Sequence, residues 1–326
     1  MAWGLPTLLL AIGLASPLAA QSYTPPQHTR GPPPPYRTAG PDEIALYADA
    51  GAQIETDRPA KSALAEHRRM AKALAAVSPG RKGVVDAYVV SAALDSDPVF
   101  GREAREAGRV LARRYDAVGR TIVLAGSDGT GESSLPRASP DGLGTALARV
   151  AELMDPREDV LVLYLTAHGG PFGVVYNDGD QGYGAISPYR LWSTLRDLGI
   201  VNKVVLISAC YSGVFVPLLA SPTSVVVTAA SWERTSFGCQ ADNDWTFFGD
   251  ALINHGLRKP QPIAAAVAEA KALIDSWERR GSLVPSDPQV SIGAEAARWL
   301  SALDARMPRA SSAPVGRPAV ETLPSR

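Results

Sequence analysis

The chain alternates between short apolar runs and amphipathic segments. Five runs rich in β-branched residues, each bounded by turn or polar residues, predict buried strands at 84–92, 121–125, 159–166, 203–208 and 224–229. Helical spacing fills the gaps at 101–115, 143–154, 188–198 and 211–220, and recurs at about 244–256, 261–279 and 293–304. Strands separated by helices of this length predict parallel pairing with helices on both faces. We therefore expect an α/β fold of three layers around a mostly parallel sheet.

Segments of different character flank this α/β domain, which we place at residues 81–305. Before it, two stretches of helical spacing at 42–55 and 58–77 predict a helical preface over residues 42–80. Residues 21–41 are rich in proline and predict an extended linker. After it, residues 306–326 combine Pro, Ser, Ala and Arg without apolar periodicity, which predicts a disordered tail.

The N-terminus has the features of an export signal. The first twenty residues carry no charge, and an apolar run at 8–14 is followed by Pro17 and by the small residues Ala19 and Ala20. This pattern predicts a signal peptide cut after Ala20, with an uncleaved N-terminal anchor as the alternative. We expect the protein to be exported to the periplasm or secreted, without membrane contact beyond that possible anchor.

Composition narrows the chemistry. The 326 residues include 32 basic and 33 acidic side chains, and this balance gives no signal for nucleic-acid binding. Two cysteines and four histidines leave too few ligands for a disulfide framework or a thiolate-rich metal site. We therefore expect neither a metal nor another cofactor.

The functional crevice of a parallel sheet lies outside the carboxyl ends of its strands, and two strand ends carry reactive side chains. His168 follows the strand at 159–166, and Cys210 follows the strand at 203–208. A thiol beside an imidazole is the minimum for nucleophilic acyl transfer, and the backbone N–H groups of Gly169 and Cys210 could stabilise the oxyanion. Two alternatives stay open: Cys210 is an inert core residue, or it forms a disulfide with Cys239 in an oxidising compartment.

These residues stand in motifs that resemble the legumain-type cysteine peptidases, in their bacterial form. The motifs are Thr-Ala-His168-Gly, Ser-Ala-Cys210-Tyr-Ser-Gly, and Val-Thr-Ala-Ala-Ser-Trp-Glu-Arg-Thr-Ser236-Phe-Gly-Cys239 with a following Phe-Phe-Gly-Asp250. The resemblance covers residues 83–256. It implies a caspase-like fold and a Cys-His dyad in which Cys210 is the nucleophile, His168 the acid/base and Gly169 an oxyanion donor.

The resemblance also implies a pocket for the substrate side chain. Arg102 and Asp250 fall where the family has a pocket arginine and a pocket acid, and Ser236 lies on the strip that lines the pocket. An arginine facing an aspartate suits a carboxamide, which favours Asn, or Asp if the acid is protonated. Ser208 departs from the pattern, because legumain has a pocket glutamate two residues before its nucleophile.

The expected function is hydrolysis of peptide bonds by an exported cysteine endopeptidase through a thioester intermediate. Its partner would be a peptide or protein substrate, and the sequence leaves the oligomeric state open. One alternative is a transamidase or ligase that uses the same thioester. The other is a catalytically inactive module that binds peptides in the same crevice.

Overall fold

The computed structural model describes Met1 and residues 30–126 and 133–323. The predicted signal peptide at 1–20 lies outside the described residues, apart from Met1, and so does the linker as far as residue 29. Within the described parts of the chain, no helix is both long enough and apolar enough to cross a membrane.

The structure contains ten strands and eight α-helices in its described residues. The strands are β1 (Gln53–Glu55), β2 (Ala87–Ala93), β3 (Thr121–Leu124), β4 (Val160–Thr166), β5 (Gly169–Gly170), β6 (Gly173–Asp178), β7 (Gly182–Ile186), β8 (Lys203–Ser208), β9 (Ser224–Thr228) and β10 (Gln289–Ile292). The helices are α1 (Pro41–Asp49), α2 (Ala60–Ala75), α3 (Pro98–Arg114), α4 (Pro140–Leu153), α5 (Pro188–Asp197), α6 (Val216–Leu219), α7 (Ile263–Gly281) and α8 (Ala297–Ala305).

The central sheet has six strands in the order β10-β9-β8-β4-β2-β3. All neighbours run parallel except β10, which pairs antiparallel with β9. Each of the five predicted strands is present and overlaps the predicted range. The mostly parallel sheet expected from the sequence is therefore confirmed.

Helices cover both faces of this sheet. Along β4, the alternate residues Val160, Val162 and Tyr164 belong to one apolar cluster, which also contains residues of α3, α7 and α8. The intervening residues of β4 belong to a second cluster, with residues of α4, α5 and α6. Because both faces are buried, the strand is an uninterrupted apolar run. The three-layer architecture is confirmed.

A second, antiparallel sheet with the order β1-β7-β6-β5 was not predicted. Its strand β1 lies in the range expected to continue the first helix of the preface. That helix instead ends at Asp49, and Gly51 adopts a left-handed φ of 72°, which turns the chain into β1. The sheet matters for function because β5 begins directly after His168.

The C-terminal segment is packed as far as residue 323, and the prediction of a disordered tail was wrong for this part. The indole N–H of Trp245 donates to the Val315 carbonyl at 2.8 Å, and the Ala319 N–H donates to Asp250 at 2.7 Å. Asn254 also bonds both backbone groups of Val315. Contacts made through the backbone do not require a periodic pattern of apolar residues, so the composition of the segment could not indicate that it packs against the domain.

Two other predicted helices differ from those found. Residues 211–220 form a 3₁₀ turn at Ser212–Phe215 followed by the single turn of α6, in place of one continuous helix. The helix expected at about 244–256 is a π-helix, Gly249–His255, and begins later. The residues before it form an irregular loop that packs beside the catalytic strand ends.

Candidate active site

The parallel register of β4 and β8 sets His168 beside Cys210. Thr166 of β4 pairs with Ser208 of β8, and the Ala167 N–H donates to the Ser208 carbonyl at 3.2 Å. His168 and Cys210 each come two residues after this pair. Just beyond, a Cβ atom added to Gly169 would lie 2.2 Å from the Cys210 carbonyl oxygen. The structure therefore brings the three predicted catalytic residues together, with Gly169 packed against the backbone of Cys210.

The thiol of Cys210 is half-buried and lies against the strip that contains Ser236. The Ser236 N–H donates to the Cys210 Sγ at 3.3 Å, and the Ser236 Oγ is 3.6 Å from the same sulfur. The next residue, Tyr211, has a left-handed φ of 58°, and its N–H donates to the Arg234 carbonyl at 2.8 Å. A non-glycine residue is held in this conformation only when its surroundings require it. The turn that contains Cys210 is therefore held by the hydrogen bond from Ser236 to the thiol and by the hydrogen bond from Tyr211 to Arg234.

The imidazole of His168 is paired with a carboxylate. Its Nε2 lies 3.4 Å from Oδ2 of Asp97, and the Phe100 ring packs edge-on at 5.0 Å between ring centroids. The hydrogen bond that His168 donates to Asp97, together with a smaller contribution from Cys239, raises the pKa of His168 to about 10 against an opposing effect of burial. The ring is 41% exposed. It therefore carries a proton at neutral pH.

Asp97 is a functional residue that the sequence analysis missed. It lies between the end of β2 and the first residues of α3, so it occupies the same edge of the sheet as His168 and Cys210. The rule that directed us to the ends of β4 and β8 applies equally to β2, and it could have identified this carboxylate. The loop is held in place by the Ser96 N–H, which donates to the Asn177 carbonyl at 2.9 Å.

One group of side chains has the composition of a metal site. Oxygen atoms of Asp95 and Asp97 and a ring nitrogen of His168 lie within 4.8 Å of one another, and no other such group occurs in the part of the chain that is described. A metal would require the neutral imidazole, which the raised pKa of His168 disfavours. We account for this group by the pairing of His168 with the carboxylates and assign no metal to it.

The position of Gly169 in the small sheet leaves its N–H available. The Val175 N–H donates to the His168 carbonyl at 2.9 Å, so Gly169 and Val174 form a non-hydrogen-bonded pair of the β5–β6 ribbon. The N–H of a residue in such a pair points away from the partner strand. Because β5 is the edge strand, no further strand takes this donor. This is the arrangement that an oxyanion donor needs.

The predicted pocket residues divide into two groups. Ser236 contacts the nucleophile, as described above, and Ser208 is buried behind it with its hydroxyl 2.9 Å from that of Thr246. Arg102 donates to the carbonyls of Ala241 and Asn243 and lies 3.5 Å from Asp244. The side chain of Arg102 therefore binds the loop at 241–244.

Asp250 does not face Arg102. It is fully buried, its Oδ1 accepts from Asn254 at 2.8 Å and its Oδ2 accepts from the Ala319 N–H. No ion pair joins Asp250 to Arg102 among the residues described. The Arg–Asp pocket expected from the family resemblance is therefore not formed, because the carboxylate anchors the C-terminal segment.

Both cysteines are free thiols in the structure. Cys239 is half-buried, packs against the apolar cluster that contains Phe100, and contributes to the raised pKa of His168. The second thiol of the chain thus lies near the imidazole.

Comparison with protein families gives this arrangement its context. The model of the Peptidase C13 family matches residues 144–274. Over this segment the chain is similar to the legumain family of cysteine peptidases. The matched segment contains His168 and Cys210, whereas Asp97 and Arg102 precede it. The predicted legumain-type resemblance is confirmed, and the bacterial affiliation stays a prediction.

Two solved structures are similar to part of the chain. The chain is similar to caspase-1 from Spodoptera frugiperda, with a TM-score of 0.41 and 15% identity, over 67% of this chain and 93% of the caspase. It is also similar to pro-sf-caspase-1, with a TM-score of 0.41 and 14% identity, over 66% of this chain and 93% of that one. No residue role is taken from either. None of the curated proteins matches the chain significantly.

Proposed function

We propose that this protein is a cysteine endopeptidase in which Cys210 attacks the scissile carbonyl and His168 serves as the acid. The observation that carries the proposal is the common register of β4 and β8, which sets both side chains two residues beyond one strand pair. The close packing of Gly169 on the Cys210 backbone adds an oxyanion donor at the same point.

The charge state of His168 defines the order of the proton transfers. With Asp97 raising the pKa of His168 to about 10, the imidazolium is present before substrate binds, so the proton that Cys210 loses on attack goes to solvent. The thiolate adds to the carbonyl, and the N–H groups of Gly169 and Cys210 stabilise the oxyanion. When the C–N bond breaks, His168 gives its proton to the leaving amine. Water then hydrolyses the thioester, assisted by the neutral imidazole.

We propose Asn or Asp as the residue after which the chain is cut, on the strength of the family resemblance. Ser236 is the predicted pocket residue that contacts the nucleophile, whereas Arg102 binds the backbone of the loop at 241–244. A peptide library that varies the residue before the scissile bond tests this directly. Preferential cleavage after any other residue would overturn the proposed preference.

The nucleophile is tested with a peptidyl electrophile on the full chain. We expect Cys210→Ala to abolish covalent labelling and peptide hydrolysis, and Cys239→Ala to retain labelling. Cys239→Ala is a matched control because its thiol is also half-buried and also lies near His168. Equal labelling of the two variants would refute the assignment of Cys210.

Two further parts of the proposal have separate tests. Product analysis with and without an added amine distinguishes hydrolysis from transfer of the acyl group, since a transamidase gives the amide product. We propose export, with cleavage after Ala20, on the basis of the N-terminal sequence. N-terminal sequencing of protein recovered outside the cytoplasm would return Gln21 as the first residue, and Met1 if the segment is an anchor.

A further inference from the structure

A fully buried carboxylate, Glu103, lies beneath the two catalytic strand ends. It belongs to α3, the helix that packs on the face of the sheet containing Tyr164. Glu103 has no exposed surface. Burying a carboxylate is costly unless several donors satisfy it, so the reason for its position must lie in the groups that it binds.

Three donors converge on this carboxylate. Its Oε1 accepts from the Tyr164 hydroxyl at 2.5 Å and from the Thr166 hydroxyl at 2.8 Å. Its Oε2 accepts from the Thr246 N–H at 2.8 Å. Burial and the neighbouring Glu103 raise the pKa of Tyr164 far above its ordinary value, so the phenol remains a proton donor. Hydrogen bonds to a carboxylate are stronger than those between neutral groups.

The same network reaches the strand that carries the nucleophile. The Thr246 hydroxyl lies 2.9 Å from the Ser208 hydroxyl, and it also accepts from the Gly249 N–H at 2.9 Å. Thr166 comes two residues before His168, and Ser208 two residues before Cys210. One carboxylate therefore ties, directly or through Thr246, the last residue of each catalytic strand.

The surroundings leave little room for this carboxylate to move. A Cβ atom on Gly249 would lie 2.1 Å from Oε2 of Glu103, so a glycine is needed where the π-helix begins. The Thr246 N–H that binds Oε2 belongs to the loop before that helix. Glu103 thus joins α3, β4 and this loop in one hydrogen-bonded unit.

We propose that Glu103 is a positioning residue that fixes the separation of His168 and Cys210 by holding the ends of β4 and β8 and the loop at Thr246. The proposal rests on the proposed function, because it assigns Glu103 to the geometry of that dyad. Glu103 touches neither the thiol nor the imidazole. A misplacement of about 1 Å remote from the chemistry can cost up to about 100-fold in rate.

Glu103→Gln tests the proposal with little change in volume. The glutamine oxygen can still accept from the Thr246 N–H, but its NH₂ group faces two hydroxyls that now donate to the carboxylate. We expect the variant to fold, with kcat lowered at least about tenfold and KM within about twofold, because binding of substrate does not need the aligned dyad. Circular dichroism and the melting temperature establish the folded state.

Glu106→Gln is the matched control. Glu106 lies on the same helix, is nearly buried, and bonds Arg258 at 2.6 Å, without contact to β4 or to Thr246. We expect Glu106→Gln to lower the melting temperature and leave kcat unchanged. An unchanged kcat in folded Glu103→Gln, or an equal fall of kcat in both variants at equal loss of melting temperature, would overturn the proposal.

A second readout does not depend on peptidase activity. Trypsin separates Cys210 from Cys239, because cleavage at Lys203, Arg234 and Arg258 places the two thiols in different peptides. Mass spectrometry can therefore follow alkylation of Cys210 by iodoacetamide alone. We expect the rate at neutral pH to change at least about threefold in Glu103→Gln, because displaced strand ends alter the surroundings of the Cys210 thiol.

The two readouts separate the two proposals. If the wild-type protein hydrolyses no peptide and takes no peptidyl label, the proposed function fails, while the alkylation rate of Cys210 still reports its position beside His168. An alkylation rate unaltered by Glu103→Gln would then overturn the positioning role. A changed rate in Glu103→Gln and an unaltered rate in Glu106→Gln would support it.

Discussion

Replacing Asp97 by asparagine removes the carboxylate paired with His168 and keeps the size of the side chain. The hydrogen bond that His168 donates to Asp97 is the largest cause of the raised pKa of His168, which is about 10 against an ordinary value of 6.5. In Asp97→Asn the imidazolium is less stable, and the pKa of His168 falls toward the ordinary value. Since the leaving amine takes its proton from the imidazolium, the alkaline limb of activity moves to lower pH.

The size of the effect follows from these values after allowance for solvent. The imidazole is 41% exposed, and Cys239 also contributes to its raised pKa. We therefore expect the pKa of His168 in the variant to fall only part of the way to its ordinary value, to about 8. At pH 9, a pKa of about 10 leaves about 0.9 of His168 protonated, and a pKa of about 8 leaves about 0.1. The ratio is about tenfold in kcat/KM at pH 9, and near unity at pH 6 where both forms are protonated.

The assay is the pH dependence of kcat/KM with one peptide substrate, measured for the wild type, Asp97→Asn and the control Asp197→Asn. Asp197 is exposed and pairs with Arg196 on the surface of α5, so its charge can be removed without a contact to His168. The prediction fails if the alkaline limb of Asp97→Asn coincides with that of the wild type. It also fails if Asp197→Asn moves the limb equally, since a general change of net charge would then explain the shift.

Two other changes test the packing around the site. Gly169→Ala would place a methyl group 2.2 Å from the Cys210 carbonyl oxygen. We expect this variant to have a kcat/KM lower by at least about 100-fold and a lower melting temperature. The control is Gly144→Ala, which adds a methyl group in open space on helix α4 and should raise stability by up to about 1 kcal/mol. Wild-type activity in Gly169→Ala would contradict the close approach. Deletion of residues 310–326 leaves the buried indole N–H of Trp245 and the carboxylate of Asp250 without their backbone partners. Each lost partner lowers the free energy of unfolding by about 1–3 kcal/mol. Calorimetry should therefore show a lower melting temperature, and fluorescence should show a red shift of the tryptophan emission. An unchanged melting temperature would show that the segment contributes nothing to stability.

The strands, and the placement of His168 and Cys210 at one edge of the sheet, could be predicted because each depends on a local signal. A strand buried on both faces is a continuous apolar run, so β8 was predicted at its observed bounds of 203–208. Once the strands are placed, the edge that holds their carboxyl ends follows from parallel pairing, and His168 and Cys210 are the reactive residues at that edge. No side-chain contact had to be known for this step.

The small sheet and the acidic partner could not be predicted in the same way. β5 has two residues, β1 has three, and β7 contains two glycines, so none shows a clear alternation of apolar and polar positions. No sequence pattern distinguishes Asp97 from the other carboxylates, and only the fold shows that it lies 3.4 Å from His168. The role expected for Asp250 failed for the converse reason, because its position in the motif does not show that its carboxylate faces the C-terminal segment.

The small sheet connects the preface to the active site. Its β6–β7 turn holds the loop that contains Asp97, through the Ser96 N–H on the Asn177 carbonyl and the Gly179 N–H on the Ser96 hydroxyl at 2.7 Å. At one edge of the sheet β5 presents Gly169, and at the other edge β1 pairs with β7. Arg58, which follows β1, forms a largely buried ion pair with Asp178 at 2.8 Å. The preface thus supplies an edge strand and a buried charge to the sheet that contains Gly169 and holds the loop of Asp97. Its contribution in this structure is therefore to support the geometry of the proposed active site.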